Sequence, residues 1–228
     1  MRSVVMLAVV ALAGLTGVAQ AGSSHPWMDA GPTNWSGKYL GVNGGVGLGT
    51  LKWAYTPSGT TANQSPTGAV AGVTAGFNIQ QGQIVYGLEG DLDWAGIEGS
   101  ASCPNPLFAC NTTLSWLGTL RGRIGVTQNN MLLYVTGGLA AGSLYARTTF
   151  TPGIGLPPSG TPTNGTTTTD IGWTAGIGSE FALHSGLSLK GEWLLYDLGT
   201  SSHPVDNGLT VLTNATGSLL RVGLNKRF

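Results

Sequence analysis

The chain has 228 residues, 38 of them glycine, and only 9% are charged, ten basic against ten acidic for a net charge of zero. An ordinary soluble domain carries about a quarter of its residues as charges, so composition argues against a surface that mostly faces water. Zero net charge without any Lys/Arg run argues against a nucleic-acid partner.

Met1 to Ala21 reads as an export signal: Arg2 starts it, Val4 to Leu15 is almost wholly apolar, and Ala19-Gln20-Ala21 is a small-x-small cleavage site. Removal after Ala21 starts the mature chain at Gly22. No later window holds the ~20 apolar residues of a spanning helix, and mean hydropathy is only +0.15. Residues 22–36 have no period and are expected to form a periplasmic lead-in, with the folded domain over 37–228. The two cysteines, Cys103 and Cys110, predict a loop disulfide in an exported protein.

From Lys38 onward the chain alternates with period two, the signature of strands. In the first, Lys38 to Trp53, Leu40, Val42, Val46 and Leu48 oppose Tyr39, Gly41, Asn43, Gly45 and Gly47. After a Thr/Ser/Pro-rich loop at Ala54 to Pro66, the second, Thr67 to Gln80, sets Val73, Ala75, Phe77 and Ile79 against Gly72, Thr74, Gly76, Asn78 and Gln80. A short turn leads to the third, Ile84 to Trp94, where Glu89, Asp91 and Asp93 share one face. Ala95 to Thr113 is expected as a long loop. The fourth strand, Leu114 to Thr127, places Arg121 and Arg123 opposite Leu120, Ile124 and Val126.

Gln128-Asn129-Asn130 offers side chains that tolerate left-handed backbone and turns the chain. The fifth strand, Met131 to Arg147, carries Leu133, Val135, Leu139 and Ala141 opposite Tyr134 and Thr136. Thr148 to Thr169 is expected as a mobile loop. The sixth, Asp170 to Leu183, opposes Trp173, Ala175, Ile177 and Phe181 to Thr174, Gly176, Gly178 and Glu180. After His184-Ser185-Gly186, the seventh, Leu187 to Leu198, has Lys190, Glu192 and Tyr196 on its polar face. A polar loop, Gly199 to Ala215, precedes the last strand, Gly217 to Phe228. There Leu220, Val222, Leu224 and Phe228 oppose Arg221, Gly223, Asn225 and Arg227.

Eight strands joined by alternately long and short connections, with tryptophans near strand ends (Trp53, Trp94, Trp116, Trp173, Trp193), predict an all-β, eight-stranded antiparallel up-and-down transmembrane β-barrel. In hydrocarbon every backbone polar group must be paired, so the last strand must close on the first. Eight strands leave an interior just wide enough for side chains to fill it. That interior is expected to hold Glu89, Asp91, Asp93, Glu180 and Glu192 against Arg121, Arg123, Lys190, Arg221 and Arg227. Five acids facing five bases in a confined lumen must pair with one another, which argues against a wide aqueous pore.

Several stretches resemble the small porin-like, opacity-type outer-membrane β-barrel family of alphaproteobacteria. They are Asn34-Trp35-Ser36-Gly37, Leu88-Glu89-Gly90-Asp91, Gly118 to Gly125, Tyr134-Val135-Thr136-Gly137-Gly138, Gly172-Trp173-Thr174-Ala175-Gly176, and Arg221 to Phe228. The resemblance implies an outer-membrane location, an abundant surface or envelope-stability role, and no cofactor. Its implied partners are outer-membrane lipid and lipopolysaccharide, with the barrel-assembly machinery and periplasmic chaperones during biogenesis. Phe228, with Leu220, Val222 and Leu224, resembles the assembly signal of such barrels. Lys226 departs from it, where an aromatic is common, but at the periplasmic rim a lysine can snorkel.

Two other functions compete with a structural barrel. One is a diffusion porin for small solutes. The other is a lipid A-modifying barrel enzyme, which needs a nucleophile and a His base oriented by a carboxylate. His184 falls in a periplasmic turn and His25 in the lead-in, while His203 with Ser201, Ser202 and Asp206 forms a polar cluster in an outer loop. The spacing of Glu89, Asp91 and Asp93 also suits a cation, although the neighbouring arginines compete for those carboxylates. No other metal ligands or catalytic residues stand out.

Overall fold

A computed structural model describes residues 33–55, 61–103, 108–150, 162–205 and 209–228. The leader at 1–21 and the lead-in up to residue 32 lie outside them. Among the described residues nine strands form one antiparallel sheet: β1 (Gly37–Tyr55), β2 (Thr61–Gln64), β3 (Thr67–Gln81), β4 (Ile84–Ser102), β5 (Phe108–Gln128), β6 (Met131–Phe150), β7 (Pro162–Ala182), β8 (Leu187–Val205) and β9 (Leu209–Arg227). Eight make the barrel wall. β2 is a short addition that pairs with the outer end of β1, from Leu51↔Gln64 to Ala54↔Thr61.

Closure is complete along β1. This strand pairs with β9 from Tyr39↔Arg227 to Tyr55↔Val211, and with β3 from Gly37↔Asn78 to Leu48↔Thr67. The Phe228 amide adds one more bond, to the Lys38 carbonyl at 3.0 Å. The register follows the alternation in the sequence. Leu40, Val42, Val73, Phe77, Leu88, Leu120, Val135 and Val222 lie exposed on the outer face, whereas Tyr39, Asn43, Thr74, Glu89, Arg121, Thr136 and Arg221 are buried inside. Tight turns need left-handed backbone, supplied by Gly82 (φ 63°) between β3 and β4, Asn129 (φ 55°) between β5 and β6, and Ser185 and Gly186 (φ 62° and 73°) between β7 and β8.

The outer connections differ from expectation. Much of Ala54 to Pro66, Ala95 to Thr113, Thr148 to Thr169 and Gly199 to Ala215 is strand, not loop. The wall strands β4 to β9 run 19 to 21 residues, about twice the ~9–11 that cross a bilayer. The physical reason is that the period-two pattern continues past the membrane with its polarity exchanged. Above the adjacent pair Trp94↔Trp116, outward positions become polar, such as Glu98, Ser100, Thr167, Thr169, Thr200 and Ser202. Inward positions become predominantly apolar: Leu51, Ile97, Leu114, Leu144, Tyr196 and Leu198 form one buried cluster. Below the tryptophans the barrel is apolar outside and charged inside, and above them it resembles a water-soluble barrel.

In that outer part the wall splits. The β7–β8 ladder stops at Trp173↔Asp197, yet β7 stays paired with β6 out to Thr149↔Pro162 and β8 with β9 out to Val205↔Leu209. The β3–β4 ladder likewise ends at Thr67↔Glu98 while β4 continues along β5. Two four-stranded flaps, β4–β5–β6–β7 and β8–β9–β1–β2, therefore share the apolar cluster between them. The predicted disulfide is present: Cys103 and Cys110 tie the end of the β4–β5 hairpin, and Cys110 is buried in the same cluster.

Leu144 is 3% exposed and belongs to this cluster. Leu144→Ala should destabilise the outer flaps by about 2–5 kcal/mol, read as faster protease cleavage in the β6–β7 region while the membrane-embedded part stays resistant.

Candidate functional site in the barrel lumen

Within the membrane-spanning layer the inward side chains are predominantly polar, and they meet across the barrel axis, since eight strands give an interior just wide enough for side chains to fill. Arg121, fully buried, sits at the hub. Its guanidinium reaches Glu89 at 2.5 Å and Asp91 at 2.6 Å, both on β4, and Glu192 on β8 at 2.9 Å. Arg221 on β9 pairs with Asp93 at 2.6 Å, Glu192 at 2.7 Å and Asp91 at 3.0 Å. Arg123 bridges Glu89 at 3.3 Å and Glu180 at 3.2 Å, and Lys190 lies 3.2 Å from Glu89. A single connected network thus joins β4, β5, β7, β8 and β9 across the interior.

Neutral donors complete it. The Tyr39 hydroxyl donates to Glu89 at 2.8 Å and that of Tyr134 to Glu192 at 2.9 Å. Thr74 and Thr119 donate to the two oxygens of Asp91, and Ser188 and Asn225 donate to Glu180. The Arg123 guanidinium lies over the rings of Tyr39 and Tyr134, 4.7 and 5.0 Å from their centroids. Glycine makes this packing possible. A Cβ on Gly76 would stand 2.1 Å from the Tyr39 hydroxyl oxygen, and one on Gly178 2.4 Å from that of Tyr134, so each ring lies flat on the wall over a residue that has no side chain.

Nine of the ten residues expected in this network are brought together. Arg227 is placed elsewhere, at the periplasmic rim: its guanidinium stacks on Trp35 at 4.6 Å and donates to the Asn34 carbonyl at 2.7 Å. The reason is position, since Arg227 is the final residue of β9 and its inward side chain emerges below the charged layer. The partner it finds was invisible to periodicity. Trp35, in the unpatterned lead-in, is 0% exposed and fills the periplasmic mouth together with Val85, Leu132, Tyr134 and Ala182. Its indole N–H donates to Thr127 Oγ1 at 2.9 Å and its amide to Gln80 Oε1 at 2.7 Å. The chain's own approach to β1 thus packs into the mouth.

The charged layer is consequently bounded on both sides. Trp35 closes it below, and above it the apolar cluster leaves a space of about 20 Å³ beside Leu51, Ile97, Leu114, Leu144 and Tyr196, room for about one water. The residues expected as an assembly signal, Leu220, Val222, Leu224 and Phe228, all lie exposed on the outer face. Lys226, also exposed, reaches the Ser185 carbonyl in the β7–β8 turn at 2.5 Å.

The histidine-centred alternative rests on residues that the structure places as follows. The Ser201 hydroxyl donates to Asp170, and His184 sits in the single 3-10 turn between β7 and β8. His25, Asp206 and the side chain of His203 lie outside the described residues. Among those described, no group of three or more His, Cys, Asp and Glu side chains is arranged to hold a metal ion, because Arg121 and Arg221 occupy the space between the carboxylates.

Comparison with known proteins agrees with this architecture. The family described as outer membrane protein beta-barrel domain matches residues 7–228. The chain belongs to this family. It is 30% identical to the 31 kDa outer-membrane immunogenic protein of Brucella melitensis, with both chains covered in full. It is 29% identical to a 22 kDa outer membrane protein of Rhizobium leguminosarum, over 77% of this chain and 70% of that one. Among solved structures, the outer membrane protein OprG of Pseudomonas aeruginosa shares the fold at a TM-score of 0.54 and 10% identity, covering 85% of this chain and 97% of that one. The protein is an outer-membrane β-barrel of the small alphaproteobacterial type.

Two substitutions probe the site. Arg121→Ala leaves three carboxylates without their shared cation and should cost about 3–5 kcal/mol, seen as a lower urea midpoint for the folded band in detergent. Trp35→Ala removes a buried indole and should cost about 3–5 kcal/mol, and a cysteine at Leu132 should become labelled from the periplasmic side.

Proposed function

We propose that this protein is a non-conducting structural barrel of the outer membrane, a wall element that displays its extramembrane flaps at the cell surface. The observation that carries the reading is the position of Arg121. It is fully buried and bonded to Glu89, Asp91 and Glu192, so ion pairs cross the axis where a pore would run. A diffusion porin needs continuous water along that axis, and desolvated pairs held from five strands are costly to part. The same packing supports a non-enzymatic role, because a substrate reaching the lumen would have to displace the pairs.

The partners proposed are those of such a wall element. Outer-membrane lipid and lipopolysaccharide meet the apolar outer face, and the barrel-assembly machinery with periplasmic chaperones meets the Leu220, Val222, Leu224 and Phe228 edge during insertion. The Brucella relative is named as immunogenic, and surface display of the flaps here follows that likeness.

Planar-bilayer recording on refolded protein tests the reading. The wild type should show no steady conductance, whereas the double variant Arg121→Ala, Arg123→Ala should open the lumen or fail to hold the barrel. Steady large openings in the wild type would instead assign a diffusion porin.

A further inference from the structure

Among the described residues the lumen network is short of one positive charge. With Arg227 at the rim, the sealed layer holds five carboxylates, Glu89, Asp91, Asp93, Glu180 and Glu192, against four cations, Arg121, Arg123, Lys190 and Arg221. The hydrogen bonds locate the imbalance. Both oxygens of Glu89, Asp91, Glu180 and Glu192 accept at least one hydrogen bond. Asp93 accepts from Arg221 at Oδ2, at 2.6 Å. Its Oδ1 is buried without a partner at full hydrogen-bond geometry, in a residue 0% exposed, and the Asn43 side chain is the group beside it.

The register shows where that oxygen points. Asn43 on β1, Gly72 on β3 and Asp93 on β4 stand side by side on the inner wall. A Cβ on Gly72 would lie 2.1 Å from Asp93 Oδ1, so the oxygen leans over the glycine into the space its missing side chain leaves. On the far side Asn43, 7% exposed, has an Oδ1 that is also buried without a partner. An unmatched carboxylate in a sealed interior is costly by several kcal/mol or more.

We propose that Asp93 Oδ1, which takes the space over Gly72 and faces Asn43, binds one monovalent cation, an alkali ion or a proton, that brings the lumen to neutrality. A divalent metal does not fit: the set offers one unshared carboxylate oxygen, and one unit of charge is what the layer lacks. The groups facing Asp93 are Arg221 from β9, Asp91 from β4, Arg121 from β5, and Lys190 and Glu192 from β8, with uncharged Asn43 and Thr74 from β1 and β3. All of the charged ones are already engaged with one another.

The test compares urea unfolding of the mature barrel refolded in detergent, for wild type, Asp93→Asn and Glu89→Gln. For a bound alkali ion, replacing sodium by choline at constant ionic strength lowers wild-type stability, by up to about tenfold in the folding equilibrium per tenfold in free sodium. For a proton, raising the pH above neutral does so instead, and a protonated-carboxyl infrared band disappears in Asp93→Asn. Asp93→Asn, already neutral, should fold at least as stably as wild type and lose either dependence, while Glu89→Gln, which removes a fully paired charge, should be destabilised and keep it. The proposal is overturned if wild-type stability follows neither sodium nor pH, if the dependence survives in Asp93→Asn, or if Asp93→Asn is destabilised as much as Glu89→Gln. Should Asp93→Asn not fold, sodium binding and the infrared band of the wild type decide alone, and absence of both overturns it.

Discussion

Hydrocarbon offers no partner to a backbone N–H or C=O, and this prohibition shapes the molecule more than any side-chain contact. A sheet can live there only as a closed ring, so β9 must find β1 over its whole length, as it does from Tyr39↔Arg227 to Tyr55↔Val211. Once the ring is closed on eight strands, its bore is set, and whatever side chains point inward must be able to fill it. The interior is therefore a packing problem as much as an electrostatic one. Tyrosines lying flat over Gly76 and Gly178, and arginines extended across the axis, fill the bore with groups that also satisfy its carboxylates.

The resulting interior has three layers: an aromatic stopper at the periplasmic mouth, ion pairs through the bilayer, and an apolar core outside it. Each uses the inward positions of the same strands. The ion pairs contribute little net energy relative to a hydrophobic filling of equal volume. What they supply is mutual dependence, because parting Arg121 or Arg221 from its partners strands several buried carboxylates at once.

Much of this was legible in the sequence. Alternation assigned the lipid-facing and lumen-facing residues of every membrane segment, and the Glu89, Asp91, Asp93 face opposite Arg121 and Arg123 announced a charged interior. Three parts were not legible, for physical reasons. Trp35 carries no periodic signal because a single side chain inserted into a mouth repeats with nothing. The outer halves of the strands look like loops because their outward residues are Ser, Thr and Gly, which turns also use, and their inward Leu and Ile then seem isolated. Arg227 was misplaced for a related reason: alternation gives a side chain's face but not its depth, and the end of β9 lies below the charged layer.

The exchange of polarity at Trp94 and Trp116 bears on how pairing errors are rejected. Sliding one strand by a single residue would turn its apolar membrane face inward and its charges into lipid, the usual penalty for a slip. Here the same slide would also push the outer leucines into water and bury serines and threonines in their place. Each strand thus carries two proofs of its alignment, one read by acyl chains and one by solvent. A mispaired hairpin is rejected in both media, even before its neighbours arrive.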